Sequence, residues 1–148
     1  MSEIIKEKLY LGGIDDANDL NFIIINKIDV IITTAHNCVI SNEVKNKINY
    51  YQFDIIDKPT FNIREYLDKI SLLIENQINQ GKRVLIHCWS GVSRSVCCTI
   101  AYLMIYKKMC YLDAFRIVFN QRPFICMNDG FVEQLDELEL KLYGVNSA

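Results

Sequence analysis

Short apolar runs mark the predicted strands of this chain. Residues 29–33 and 83–87 are rich in β-branched and other apolar side chains, the pattern of strands that are covered on both faces. Residues 8–11 and 50–54 predict two more strands, and Gly12 follows the first of them as a turn signal. We expect the run at 83–87 to be the most buried strand of a sheet.

Longer stretches between these runs carry apolar residues at helical spacing. The best marked begins near Asn62, because Asn62 followed by Glu65 resembles a capping box. Residues 42–47 predict only a short helix or a loop. Helices are predicted at residues 16–26, 62–81, 93–108, 112–121 and 129–143. The acidic side chains of the last helix, which we expect on a solvated face, are Glu133, Asp136, Glu137 and Glu139.

Strands that alternate with helices predict an α/β fold. We expect a central, mostly parallel, twisted sheet of about five strands flanked by helices, in a single domain that covers residues 1–148. The functional loops of such sheets lie at the carboxyl ends of the strands. Cys88 follows the most buried predicted strand, and the pattern therefore places the candidate chemistry there.

Composition and charge narrow the class of protein. Of the 148 residues, 51% are hydrophobic and 23% are charged, which is typical of a folded soluble protein. The formal charge of −2 provides no basic field for nucleic acid or an anionic membrane. The longest apolar run, at residues 96–106, is too short to span a bilayer, and the N-terminus has no signal-peptide pattern. We expect a cytoplasmic monomer, with a nuclear location left open, and no nucleic-acid or membrane partner.

The six cysteines predict free thiols and not a disulfide framework. Two adjacent cysteines at 97–98 lie in an apolar stretch and suit small buried side chains, and no secretion signal accompanies the set. His36, Cys38, His87 and Cys88 could supply four zinc ligands, but their spacing matches no standard zinc pattern. We therefore expect reduced cysteines, no bound metal and no cofactor.

The segment after residues 83–87 predicts a phosphate site. A strand ends, a loop with Gly91 follows, and a helix begins near Ser93. The backbone N–H groups of such a loop, together with the helix N-terminus, form a nest of donors for a dianion. Gly91 allows close backbone approach, and the planar guanidinium of Arg94 can bind two phosphoryl oxygens. The predicted phosphate-binding residues are Trp89, Ser90, Gly91, Val92, Ser93 and Arg94.

Cys88 is the candidate nucleophile. A helix N-terminus and a neighbouring cation both stabilise a thiolate. A thiolate beside a phosphate nest predicts covalent phosphoryl transfer. Ser95, directly after Arg94, is placed to hydrogen-bond the sulfur and to ease its departure. A buried core cysteine with a surface arginine is the plainer alternative, but it accounts for neither the glycine nor the strand–loop–helix context.

Residues 87–95, His-Cys-Trp-Ser-Gly-Val-Ser-Arg-Ser, resemble the His-Cys-x-x-Gly-x-x-Arg-Ser signature of cysteine-dependent protein tyrosine phosphatases, in the dual-specificity branch. Four further segments resemble the same family in the same order: residues 9–12, 51–57, 122–123 and 128–135. The resemblance implies a small, atypical member with a shallow site. Such an enzyme hydrolyses phosphotyrosine and phosphoserine/threonine in protein substrates through a phosphocysteine intermediate, without a metal.

The resemblance implies further roles, position by position. Asp57 matches the general acid that protonates the leaving group and later activates water. Asp54, directly after a predicted strand, is the competitor and suits a structural or capping role better. His87 matches a buried residue that orients the loop and Cys88. Asn128 matches a residue that holds the phosphate loop through hydrogen bonds, and it also suits an N-cap of the last helix.

Several alternatives remain open. Trp89 departs from the small or polar residues common at its position, so we expect a packing or rim residue that could also shape substrate preference. A phospho-binding module without turnover is one rival function. A phosphatase for phosphoinositides or RNA 5′-triphosphates is another, although the loop lacks the expected lysines. A reversible disulfide between oxidised Cys88 and Cys38 or Cys126 is a further hypothesis.

Overall fold

A five-stranded sheet forms the centre of the protein in the computed structural model, which describes residues 1–147. Its strands are β1 (Ser2–Ile5), β2 (Leu9–Gly12), β3 (Val30–Thr33), β4 (Asn49–Gln52) and β5 (Val84–His87). The strand order is β1-β2-β5-β3-β4, and only the β1–β2 pair is antiparallel. The predicted α/β fold with a mostly parallel sheet of about five strands is confirmed.

Seven helices cover the two faces of the sheet. They are α1 (Ile14–Ala17), α2 (Leu20–Ile25), α3 (Asn42–Lys45), α4 (Arg64–Asn79), α5 (Arg94–Tyr106), α6 (Tyr111–Gln121) and α7 (Asp129–Tyr143). Alternate strand residues face opposite layers. In β3, Ile32 packs into the core built with α4 to α7, whereas Ile31 packs into the smaller core built with α1 to α3.

The prediction of one helix over residues 16–26 is wrong, because the structure divides this region into α1 and α2. Asp19 accepts a hydrogen bond from Phe22 N at 3.1 Å and thereby caps α2. A side chain that bonds its own backbone in this way starts a new helix instead of continuing the previous one. Strand β1 was not predicted either, since its Ser-Glu-Ile-Ile sequence is short and lies on the sheet edge.

The predicted capping box at Asn62 and Glu65 is also wrong. Helix α4 has Ile63 as its N-cap residue, and no side chain of that residue caps the helix. Instead, Gln134 of α7 accepts a hydrogen bond from Arg64 N at 3.0 Å. A distant helix therefore supplies the acceptor that the local sequence was expected to supply.

The sheet brings the carboxyl end of β5 to the edge where the candidate chemistry lies. β5 pairs in parallel with β2 on one side and β3 on the other, so it is enclosed by neighbours and its four residues are buried. Its last residue, His87, leads directly into the loop at 88–93, and α5 follows at Arg94. Within residues 1–147, no helix is both long enough and apolar enough to cross a membrane.

Candidate active site

His87 fixes the start of the loop. Its Nδ1 lies 3.0 Å from the carbonyl oxygen of Cys88, and its Nε2 lies 2.7 Å from Thr33 Oγ1. Because a carbonyl can only accept, Nδ1 carries the proton and Nε2 accepts from the Thr33 hydroxyl. Burial lowers the pKa of His87 to about 4, although the bond to the Cys88 carbonyl opposes the shift. His87 is therefore neutral at physiological pH, with both ring nitrogens occupied.

The carbonyl groups of the loop all point to donors outside it. Trp89 O accepts from Ile14 N at 2.9 Å, and Val92 O accepts from Cys126 N at 2.8 Å. Arg122 accounts for the two carbonyls between them: its Nη2 donates to Ser90 O at 3.1 Å and its Nε to Gly91 O at 2.8 Å. Four consecutive carbonyl oxygens are thus held by other parts of the chain.

The N–H groups of the same loop remain available. Among residues 1–147, none of the amide groups at 89–94 donates to another group of the protein. Gly91 has a φ of +71°, and a Cβ at this position would lie 2.6 Å from Gly12 O. The loop conformation therefore requires glycine. Free amide groups ahead of a helix N-terminus form the anion nest that the sequence predicts.

Arg94 is buried at the base of this nest, with 5% of its surface exposed. Its Nη1 donates to Asn37 Oδ1 at 2.9 Å and to the carbonyl oxygen of Ile55 at 3.1 Å. Its Nε is buried and has no hydrogen-bond partner among the described residues. A buried guanidinium N–H without an acceptor is costly, so it favours an anion that supplies one.

Cys88 lies at the bottom of the site, and only 2% of its surface is exposed. Its Sγ is 3.1 Å from Ser95 Oγ, a hydrogen-bond distance for sulfur. Burial raises the pKa of the Cys98 thiol well above its ordinary value. Cys38 packs in the same small buried cluster as Cys88, whereas Cys126 is exposed. The disulfide hypothesis for these thiols stays a prediction.

Asp57 is joined to the loop by direct hydrogen bonds. Its Oδ1 accepts from Ser93 Oγ and from Asn128 Nδ2, both at 2.8 Å. Asn128 also donates from its backbone to Ser93 Oγ at 3.2 Å, and its Oδ1 caps α7 by accepting from Phe131 N at 2.9 Å. Asn128 thus contacts the candidate acid and the phosphate loop while it starts the last helix.

Asp54 lies outside this network. It accepts a hydrogen bond from Gln52 Nε2 at 3.1 Å near the exposed end of β4. Among residues 1–147 it makes no hydrogen bond to the loop that contains Cys88. Of the two candidate carboxylates, the fold brings only Asp57 to the phosphate loop.

The zinc alternative finds no support in the geometry. Within the described part of the chain, no three His, Cys, Asp or Glu side chains converge on one point. His36 lies 3.3 Å from the carbonyl oxygen of Ile55 through Nδ1, and the nitrogens of His87 are already occupied.

Three residues of the site were missed by the sequence analysis. Arg122 holds two loop carbonyls, Asn37 holds Arg94, and Thr33 holds His87. Thr33 could have been found, because it ends a parallel strand and pairs in register with His87. Residues 122–123 were singled out only as part of the family resemblance, without a role for Arg122, and no local pattern marks Asn37.

Known proteins resemble this chain in both sequence and fold. Residues 9–141 match the family described as dual specificity phosphatase, catalytic domain. A probable rhodanese domain-containing dual specificity protein phosphatase of Dictyostelium discoideum is 38% identical over 141 residues, 95% of this chain and 29% of that protein. Dual specificity protein phosphatase 18 of Rattus norvegicus is 35% identical over 148 residues, 99% of this chain and 71% of that protein.

A solved structure agrees with these matches. The human tyrosine phosphatase-like serine/threonine/tyrosine-interacting protein superposes with a TM-score of 0.86 at 32% identity, over 98% of each chain. This chain spans less than a third of the length of the Dictyostelium relative. The chain belongs to the dual specificity phosphatase family and is an atypical dual-specificity protein phosphatase of the protein tyrosine phosphatase superfamily.

Proposed function

We propose that this chain hydrolyses phosphotyrosine and phosphoserine/threonine in proteins through a phosphocysteine intermediate. One observation carries the proposal: the carbonyls at 89–92 are all held by outside donors, while the amide groups of the loop are free. A loop held in this way is organised for an oxyanion before the substrate arrives. The Nε of Arg94, buried and unpartnered among residues 1–147, adds a cationic donor.

In the first step, the thiolate of Cys88 attacks the phosphorus atom. An S–P bond forms as the bond from phosphorus to the leaving oxygen breaks, and the leaving oxygen takes a proton from Asp57. The Oδ1 of Asp57 already accepts two hydrogen bonds, so Oδ2 is the oxygen that carries this proton. A positioned general acid contributes about 10²–10⁴-fold to the rate.

In the second step, water attacks the phosphocysteine. The carboxylate of Asp57 takes a proton from the water, an O–P bond forms, and the S–P bond breaks to return the thiolate. The Ser95 hydroxyl, 3.1 Å from Cys88 Sγ, donates a hydrogen bond to the departing sulfur. Inorganic phosphate leaves, and the site returns to its starting state.

The rival functions use less of the site. A phospho-binding module needs the nest and Arg94, but it needs neither a thiol at the base nor a carboxylate beside the loop. Phosphatases for phosphoinositides or RNA ends need cations near the loop, and residues 89, 90, 92 and 93 are uncharged. A protein substrate with a single phosphate fits the charge of the loop better.

Hydrolysis of an aryl phosphate tests the mechanism. We expect Cys88→Ser to abolish activity and Asp57→Asn to lower kcat by about 10²–10⁴-fold. Asp54→Asn is the matched control, because it removes the same charge from a carboxylate without a loop contact. Full activity of Asp57→Asn together with a large loss in Asp54→Asn would overturn the assignment of the acid.

Phosphopeptides test the substrate class. We expect hydrolysis of both phosphotyrosine and phosphothreonine peptides, inhibition by vanadate and no loss with a metal chelator. Binding of these peptides by the wild-type protein without release of phosphate would favour the phospho-binding module instead. Release of phosphate from a phosphoinositide, with none from peptides, would assign the lipid alternative.

A further inference from the structure

A cavity of about 460 Å³ opens beside the phosphate-binding loop. One wall is the segment at 13–16, and the other is formed by Trp89 and Ser90; Arg122 also lines the cavity. Ile14 N joins the two walls through its hydrogen bond to Trp89 O at 2.9 Å. Trp89 directly follows Cys88, so the cavity begins one residue from the candidate nucleophile.

Three charged side chains line this cavity: Asp16 is ion-paired, Arg122 is hydrogen-bonded to neutral oxygens, and Asp15 is free of such contacts among residues 1–147. Asp16 accepts from Gly13 N at 3.0 Å and from the N-terminal amine of Met1 at 3.2 Å. Arg122 is 6% exposed, and its Nε, Nη1 and Nη2 each have an acceptor within the protein. Asp15 is exposed and makes no hydrogen bond or ion pair with another residue at 1–147.

Trp89 is the aromatic wall of the cavity, and 54% of its surface is exposed. Tryptophan is enriched among the residues that contribute most to binding at protein interfaces. The indole face attracts cations, and the free carboxylate of Asp15 attracts the same class of group. The two exposed groups of the lining, Trp89 and Asp15, thus both favour a positive charge, whereas the opposing charge of Arg122 is buried.

We propose that this cavity is a specificity subsite for a lysine or arginine side chain of the substrate, close in sequence to its phosphorylated residue. The aliphatic part of the side chain lies along Trp89, and its charged end pairs with Asp15. The inference rests on the proposed protein phosphatase function, and it adds the sequence preference of that same site. An acidic side chain, attracted by the charge and the remaining N–H groups of Arg122, is the opposite outcome.

Short phosphotyrosine peptides that differ at one position test the subsite. Three peptides carry Lys, Gln or Glu beside the phosphotyrosine, and a second set places the same residues one position further away. We expect kcat/KM for the better-placed Lys peptide to exceed that of its Gln counterpart by about fivefold, the combined size of an exposed ion pair and a cation–π contact. Glu should be the poorest substrate.

Asp15→Asn assigns the preference to this cavity. We expect the Lys-to-Gln ratio to fall to about twofold or less in this variant, because only the indole contact remains. Asp15→Lys should reverse the order and favour the Glu peptide. The control is Asp68→Asn, which removes the same charge from an exposed position on α4 outside the cavity. This control should keep the wild-type ratio.

An aryl phosphate separates this inference from the proposed function. Wild type, Asp15→Asn and Asp68→Asn should hydrolyse it equally, since it has no side chain for the cavity. If the wild-type protein does not hydrolyse the aryl phosphate, the phosphatase mechanism itself is overturned. Normal aryl phosphate turnover with equal rates for the Lys and Gln peptides, or with a Glu preference, would overturn only the subsite. A Lys preference that survives in Asp15→Asn would also overturn it.

The fluorescence of Trp89 gives a second measurement without turnover. Trp89 is the single tryptophan of the chain, so its emission reports on this cavity alone. In Cys88→Ser, saturation with the Lys peptide should shift the emission to shorter wavelength, because the side chain displaces water from the indole. The Gln peptide should shift it less. Equal shifts with both peptides would contradict a cation-specific subsite.

Discussion

His87 is a neutral imidazole held between two strands and a loop. It is fully buried, and its ring bridges Thr33 on β3 and the carbonyl oxygen of Cys88. Protonation at Nε2 would remove the acceptor that the Thr33 hydroxyl uses. The environment that orients the nucleophile therefore also excludes a proton from this histidine.

The pH dependence of stability tests this arrangement. The folded-state pKa of His87 is about 4, below the ordinary value of 6.5, so the unfolded chain binds this proton more tightly. The free energy of unfolding should therefore fall as pH drops below 6.5, by about 2 kcal/mol between pH 7 and pH 5. Urea denaturation at these two pH values measures the change.

Two observations separate His87 from other titrating groups. His87→Asn keeps a donor toward the Cys88 carbonyl but cannot titrate, so its stability should change less between pH 7 and pH 5. His36→Gln, which replaces the only other histidine, is the matched control. An NMR titration that places the midpoint of His87 near 6.5 would contradict the prediction directly.

The predictable part of the site is the part that is continuous in sequence. Cys88, the loop at 89–93 and Arg94 follow one another, so their chemistry could be inferred from spacing and from the family signature. The residues that hold this loop in position arrive from elsewhere. Residues 122–123 contributed to the family resemblance, but only the fold shows that Arg122, directly after α6, reaches two carbonyls of the loop.

At the scale of elements, the start of α7 controls the segment that contains Asp57. Gly130, in the first turn of α7, lies against Pro59, and a Cβ on Gly130 would overlap the Pro59 carbonyl. Asn128, which caps the same helix, holds Asp57 itself. The first turn of α7 thus contacts the acid-bearing segment at two points.

Gly130→Ala should therefore impair catalysis through the acid. The added methyl group would clash with backbone atoms of Pro59. No side-chain rotation can relieve that clash, so residues 57–59 must move away. A displacement of about 1 Å in a catalytic group lowers kcat by up to about 100-fold. Steady-state assays with an aryl phosphate measure the loss, and phosphate should still bind to the nest with wild-type affinity.

Gly144→Ala is the control for this prediction. Gly144 ends α7 in a left-handed conformation, and a Cβ there would meet no atom within 4 Å. The control should lose some stability but retain kcat. An unchanged kcat in Gly130→Ala would mean that the acid segment moves without consequence for the reaction.

The elements themselves were predictable where local periodicity decides them. Strand β5 and helix α7 appear close to their predicted bounds, because a continuous apolar run and a regular helical stripe mark them. The N-terminus of α4 was not predictable, since the acceptor for its Arg64 N–H is Gln134 on α7. Contacts between elements that are distant in sequence were therefore the main source of error.

At the scale of the molecule, Glu139 connects the C-terminal segment to the body of the protein. It was predicted on a solvated face of α7, and this is wrong: only 1% of its surface is exposed. Its carboxylate accepts from Tyr111 N, at the start of α6, and from Ser147 N and Oγ at 2.7–2.8 Å. Burial alone would raise the pKa of Glu139, but these hydrogen bonds outweigh it and lower the pKa.

Removal of this charge should destabilise the whole fold while leaving the chemistry intact. In Glu139→Ala, the buried N–H of Tyr111 loses its acceptor at a cost of about 1–3 kcal/mol, whereas the groups of the exposed Ser147 can bond to water. We expect the free energy of unfolding to fall by about 1–3 kcal/mol, measured by urea denaturation. Glu133→Ala, on an exposed position of the same helix, should change it by less than about 0.5 kcal/mol.

Since Glu139 makes no hydrogen bond to the phosphate loop, the folded Glu139→Ala variant should hydrolyse an aryl phosphate at the wild-type rate. Equal stability of the two variants would show that the hydrogen bonds to Glu139 contribute nothing to the stability of the fold.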